Sequence, residues 1–207
     1  NNDYNEQIFE LNKEIERGLV MREDLREKIL ISSADLFLSQ GFKATSTRQI
    51  AQKVGITQPN LYYHFPNKEE LYVAVVEHIS QQLATELNFL AAKDLPLKEK
   101  LVEMASFLQK EYHFDFAQML KDIHNELPRE SMVRLLMVWQ ESYQAPFIKV
   151  LTSGKEPLRQ GLNEEVLVTQ LFTLLASYTM VHPTGHAKKQ VPLEQVIDLF
   201  LYGAIKR

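Results

Sequence analysis

The chain of 207 residues carries 23 Lys+Arg against 27 Asp+Glu, a formal net charge of −4 with histidine neutral, 45% hydrophobic residues and no cysteine. That length and composition suit an ordinary soluble globular protein with one sizeable core or two modest ones. Without cysteine there is no disulfide scaffold, thiolate zinc site or cysteine nucleophile, which fits a reducing compartment, so a cytoplasmic protein is the expectation. The acidic balance argues at first against a nucleic-acid partner, because phosphate binding runs on Lys and Arg.

Helical periodicity dominates and alternating strand patterns are nearly absent, so an all-α fold is expected. Residues 1–20 begin polar and acidic, with neither the basic nor the apolar region of a signal peptide. They place Ile8, Leu11, Ile15 and Leu19 at helical spacing with a local charge of −3, which reads as an amphipathic extension. A helix from about Arg22 to Gln40 follows, with Leu25, Ile29, Leu36 and Phe37 on its inner face and Gly41 suited to a left-handed stop.

Ser46-Thr47-Arg48-Gln49 has the form of a capping box that opens a short helix, and Gly55 ends it. Thr57 can cap a second short helix in which Pro59, in the first turn, loses no intrahelical hydrogen bond. That helix ends before Pro66. Asn67-Lys68-Glu69-Glu70 then opens a longer helix carrying Leu71, Val75, Ile79 and Leu83, which breaks near residue 92 at Lys93-Asp94-Leu95-Pro96. Further helices are expected at about 97–112, 115–126, 130–152, 163–182 and 192–206, separated by Pro128, Ser153-Gly154, Pro157, Gly161, Pro183-Thr184-Gly185 and Pro192. Val166 to His182 has no formal charge but is interrupted by Thr169, Gln170, Thr173, Ser177 and Thr179. A buried helix is expected there, not a membrane span.

Two short helices joined by a Gly-containing turn within a three-helix cluster form a helix-turn-helix, whose second helix lies in the major groove of DNA. Ile50, Ala51 and Val54 face inward on the first helix, Ile56 plugs the turn, and Leu61 and Phe65 anchor the second. Gln58, Pro59, Asn60, Tyr62, Tyr63 and His64 are left for solvent or a groove. Charge divides along the chain accordingly. The thirty-three residues from Leu36 to Lys68 contain no Asp or Glu, and Lys43, Arg48, Lys53 and Lys68 give them +4, leaving −8 for the remainder. Lys43 and Lys53 read equally well as solvated charges.

The run from Thr47-Arg48-Gln49-Ile50-Ala51 through Gly55-Ile56-Thr57-Gln58-Pro59-Asn60-Leu61-Tyr62-Tyr63-His64-Phe65 to Pro66-Asn67-Lys68-Glu69-Glu70-Leu71 closely resembles the signature of the tetracycline-repressor (TetR/AcrR) family of bacterial regulators. The resemblance spans about 45 residues, and the rest of the chain matches only in length and helical layout. It implies a helix-turn-helix DNA-binding domain at 21–66 and a helical ligand-binding and dimerisation domain at 67–207, after the extension at 1–20. It further implies that Thr47 and Arg48 meet phosphate or a groove edge, and that Tyr62 and Lys68 meet phosphates with His64 beside them. Gln58, Asn60 and Tyr63 would lie nearest the base edges, with Pro59 against a thymine methyl. Asn and Gln can pair with adenine in bidentate fashion, whereas Lys and Arg fix register. Many relatives carry a short basic arm where this chain has its acidic extension.

The function expected is that of a ligand-responsive homodimeric transcriptional repressor on a palindromic operator. Dimerisation would run through the helices near 163–182 and 192–206, and the helix from Lys68 would act as lever. Among the aromatic and polar residues of the C-terminal part, His113, Phe116, His124, Trp139, Tyr143 and Tyr178 are the candidates for a small, mostly apolar effector. A constitutive DNA-binding protein, or a helical ligand-binding protein that no longer binds DNA, are the alternatives. His182 and His186 are four apart but straddle Pro183 and Gly185, and His78, His113 and His124 are scattered, so no metal site is expected. No cofactor and no enzymatic activity are expected, since no nucleophile motif, phosphate-cradling loop or hydrolase signature is present.

Overall fold

The computed structural model describes residues 2–111, 122–153, 158–159, 161–179 and 192–204, with side-chain surroundings given outside 2–21, 111, 176–179 and 204. The described residues form α1 (Asn2–Ala44), α2 (Thr47–Val54), α3 (Gln58–His64), α4 (Lys68–Ala92) and α5 (Leu97–Glu111), then a helical stretch at 122–126. They continue through α6 (Arg129–Trp139), a π-helical turn (Gln140–Gln144), α7 (Ala145–Ser153), α8 (Glu164–Thr179) and α9 (Leu193–Ala204). The all-α class expected from periodicity is therefore the class observed.

Two local departures have identifiable causes. The extension and the first helix are one continuous helix, interrupted only at Gly41. Gly41 does have the positive φ expected of a stop, but with φ 80° and ψ 168° it lies outside the left-handed helical region, in a conformation open essentially to glycine alone. The turn behind it is held by Thr45, a buried hydroxyl that donates to the Gly41 carbonyl at 2.8 Å. Further on, the single helix expected at 130–152 contains a π turn immediately before Pro146. Proline has no N–H and its ring crowds the carbonyl four residues back, so the α ladder is relieved by a wider turn, with the Ala145 N–H donating to the Gln140 carbonyl.

The chain divides into two compact units. The first, residues 1–78 with 117–131, is built on α1, α2, α3 and the start of α4. Ile29 and Phe37 of α1, Ile50, Ala51 and Val54 of α2, and Leu61 with Phe65 of α3 are all buried, as the helical spacing predicts. Phe37 and Phe42 both meet the Tyr72 ring edge-on, at 5.0 and 5.1 Å. α4 differs from a simple amphipathic helix: every residue from Leu71 to Val76 is buried, so its first half is enclosed all round.

The second unit, residues 79–116 with 132–207, has a core formed by Leu83 and Leu87 of α4, Leu101 and Met104 of α5, and Phe147 and Leu151 of α7. Val168 and Leu171 of α8 and Ile197 of α9 complete it. α9 packs on α5 and α8, and α7 on α5 and α8. An exposed ion pair, Lys98 to Asp198 at 2.8 Å, joins α5 to α9. Among the described residues no helix is long and apolar enough to cross a membrane.

Candidate nucleic-acid interface

Local chemistry accounts for α2 and α3. At the start of α2 the Gln49 N–H donates to Ser46 Oγ at 3.2 Å while the Ser46 N–H donates to Gln49 Oε1 at 2.8 Å, so the reciprocal capping box is formed. Gly55 closes α2 with φ 83° and ψ 32°, and its N–H donates to the Ala51 and Gln52 carbonyls. The Ile56 N–H also reaches the Ala51 carbonyl, at 2.9 Å. Thr57 caps α3 by accepting from the Asn60 N–H, and Pro59 occupies the first turn. Both helices are short and begin without acidic residues, so their N-terminal N–H groups and positive dipole ends attract anions.

The two helices are locked together on their outer side. Tyr62 Oη and Thr47 Oγ1 are 3.0 Å apart, and the Gln58 amide donates to the same Thr47 hydroxyl at 3.2 Å. Thr47, Gln58 and Tyr62 thus form one hydrogen-bonded cluster that bridges the start of α2 to α3. Arg48, Pro59, Asn60, Tyr62 and Tyr63 are exposed, Tyr63 at 66% of its surface. His64 and Lys68 are half-buried.

Five charged residues outside the acid-free window complete the electrostatics. The Arg22 guanidinium lies 5.7 Å from the centre of the Tyr63 ring, and that of Arg26 lies 5.0 Å from the Phe65 ring. These two α1 cations adjoin the exposed end of α3, and sequence reasoning passed over them because Glu23, Asp24 and Glu27 dilute the local charge. Their spacing of four, which puts both on one side of a helix, was the available signal. His64 is held below its ordinary pKa, first by burial and then by Arg22 and Arg26, which resist a further positive charge.

Two of the window's lysines are in turn partnered by acids from outside it. Lys53 pairs with Asp35 of α1 at 3.0 Å, and Lys43 lies 3.8 Å from Glu126. Lys68 sits over the Phe42 ring at 4.2 Å. Burial lowers its pKa, while Glu126 and Asp122 act to raise it. Of the four cations counted in the window, Arg48 is exposed with no ionic partner among the described residues.

The effector candidates are dispersed. Trp139 stacks on Tyr143 at 4.6 Å and meets Phe172 edge-on, and the buried Tyr143 hydroxyl accepts from Ser80 at 3.2 Å, all within the second unit. His124 is exposed and belongs to the first unit. His113, Phe116 and the side chain of Tyr178 lie outside the described residues.

Short capped helices around a glycine turn, with a hydrogen-bonding and aromatic outer face flanked by arginines, constitute a helix-turn-helix DNA-binding domain. Residues 29–75 match the family described as bacterial regulatory proteins, tetR family. It is 38% identical over 56 residues to the HTH-type transcriptional activator FasR of Mycolicibacterium smegmatis, a match covering 27% of this chain and 26% of that protein. The chain thus spans about a quarter of the length of such relatives. With the HTH-type transcriptional repressor AcnR of Corynebacterium glutamicum the similarity is 23% identity over 186 residues, covering 88% of this chain and 93% of AcnR. The TetR family transcriptional regulator PfmR from Thermus thermophilus has the same fold, with a TM-score of 0.58 at 22% identity over 84% of this chain and 97% of PfmR. All three relatives are named as regulators of transcription and none as an enzyme.

Proposed function

We propose that the protein is a transcriptional regulator that binds duplex operator DNA as a homodimer in the cytoplasm and responds to a small, mostly apolar molecule. The exposed face of α3 carries this reading: Pro59, Asn60 and Tyr63 stand outward on a short helix that Thr47, Gln58 and Tyr62 brace against α2. Asn60 is the residue best suited to read a base, by a bidentate contact with adenine, and Tyr63 and Pro59 supply apolar contact in the groove. Arg48 and Lys68 bind phosphate, with Tyr62 and His64 at the same edge, and the helix N-termini add their N–H groups. Gln58 and Thr47 reach DNA only by exchanging part of their mutual hydrogen bonding for it. The DNA-binding domain is taken as residues 21–66 and the ligand-binding and dimerisation domain as 67–207.

Dimerisation follows from the geometry of DNA, because two recognition helices must enter successive major grooves about 34–36 Å apart. Val166 and Leu174 of α8 and Leu199 and Tyr202 of α9 are exposed large apolar or aromatic residues, which favours these helices as the interface. α4 contributes residues to both compact units and is the candidate lever by which an effector that prefers one state changes DNA affinity. The aromatic group of Trp139, Tyr143 and Phe172 beside Ser80 is the candidate effector-facing region. Repression is favoured over activation because AcnR, named a repressor, is similar across most of the chain. Selection of bound sites from random duplex DNA, repeated with a small-molecule panel, tests the reading. It predicts enrichment of a palindrome and its loss with at least one compound; no enriched sequence would overturn it.

A further inference from the structure

The buried acid of the first compact unit is not on the helix-turn-helix but eighty residues away. Asp122, 5% exposed, accepts a hydrogen bond at 2.7 Å from the backbone N–H of Phe42, the residue that follows the interruption of α1 at Gly41. That N–H directly follows the residue at which the helical backbone is interrupted, and a buried donor left without a partner is costly. The Phe42 ring is in turn the platform for the Lys68 ammonium at 4.2 Å, and it packs edge-on against Tyr72. One residue thus fixes a turn, the turn fixes a ring, and the ring carries a cation at the first turn of α4. The charge of Asp122 acts in the same direction, holding Lys68 in its ammonium form and pushing the buried Tyr72 hydroxyl further from ionisation.

Resting on the DNA-binding function proposed above, we infer that Asp122 is a positioning residue for the phosphate contact of Lys68, acting through the backbone N–H and ring of Phe42. The consequence is specific to the chain's connectivity. Residues 117–131 belong to the DNA-binding unit, whereas the chain on either side of them, 79–116 and 132–207, makes up the other unit. A displacement of this segment therefore reaches the phosphate-binding lysine at the start of α4 without travelling along that helix.

The test is a double-mutant cycle on the full-length protein, with affinity for a random-sequence duplex pool measured across a series of salt concentrations. Removing one phosphate contact shallows the slope of log affinity against log salt by about 0.9. Asp122→Ala should produce that loss in the wild-type background and none in Lys68→Ala. Asp122→Asn, which keeps an oxygen for the Phe42 N–H, should retain the wild-type slope. Should Asp122→Ala fail to fold, Phe42→Leu, which keeps the N–H and the apolar volume but removes the ring, should show the same loss of slope. An unchanged slope in the variants that fold, or an equal loss with and without Lys68, overturns the positioning role while leaving DNA binding in place. A wild-type protein that shows no salt-dependent DNA affinity would overturn the DNA-binding reading itself, and the inference with it.

Discussion

The two compact units solve the problem of their surfaces in different ways. In the first, the outward side chains of α2 and α3, Pro59 apart, are hydrogen-bonding, cationic or aromatic with a polar tip, and the large aliphatic residues Ile50, Val54 and Leu61 are buried. In the second, a dense aliphatic core coexists with aliphatic residues left in solvent: Leu171 of α8 is fully buried while Leu199 of α9 is 71% exposed. The surface proposed for a charged, hydrated polymer must keep its hydrogen-bonding capacity, whereas the surface proposed for a second protein copy gains by removing apolar area from water. The contrast explains why a residue's place on α8 or α9 says little about its role until its burial is known.

The sharpest way to break that contrast is a charge placed on each side of the same helix pair. Leu171→Asp buries an unpaired carboxylate where a Leu filled the core and should cost about 4 kcal/mol or more, seen as collapse of the denaturation midpoint. Leu199→Asp should leave helicity and the melting of the monomer nearly unchanged but yield monomers in sedimentation; a dimer that survives moves the interface elsewhere. On the DNA side, Asn60→Ala should cost about 1–3 kcal/mol of discrimination at the base it reads, with little loss on random DNA. Equal loss on all sequences would reassign Asn60 to backbone positioning.

Gly55→Ala tests the turn between the two short helices. Open space surrounds the position, so the cost is that of the backbone at φ 83° alone, about 1–2 kcal/mol by thermal unfolding. The smallest effect belongs to His64. Its pKa is lowered in the fold, so the unfolded chain takes up the proton first as pH falls. The associated stability is present above the ordinary histidine value of about 6.5 and is lost as pH drops through the lower folded value. Denaturation across that interval should be flatter for His64→Gln than for the wild type.

Legibility in the sequence followed the range of the interactions. The capping box of Ser46 and Gln49, the Gly55 stop, the Thr57 cap and the tolerated Pro59 all act within four residues, and the structure contains each of them. Pro146 acts just as locally, yet its consequence, a π turn inside a helix otherwise continuous in pattern, was missed because periodicity spoke louder than one breaker. The pairing of Lys53 with Asp35 was hidden because the acid stands one residue outside the window counted as acid-free. The placing of Arg22 and Arg26 beside α3 depends on how α1 crosses it, which no local pattern encodes.

By itself the sequence determined the all-helical class, the short capped helices of the DNA-binding region and the inward positions of α2 and α3, because helix propensity, capping and periodicity are properties of neighbours along the chain. Only the tertiary structure decided which acids meet which lysines, that Asp122 closes a broken helix end eighty residues away, and that Leu171 is core while Leu199 is surface. Those outcomes depend on distances between segments remote in sequence, and burial and Coulomb interactions act through space without regard to position along the chain.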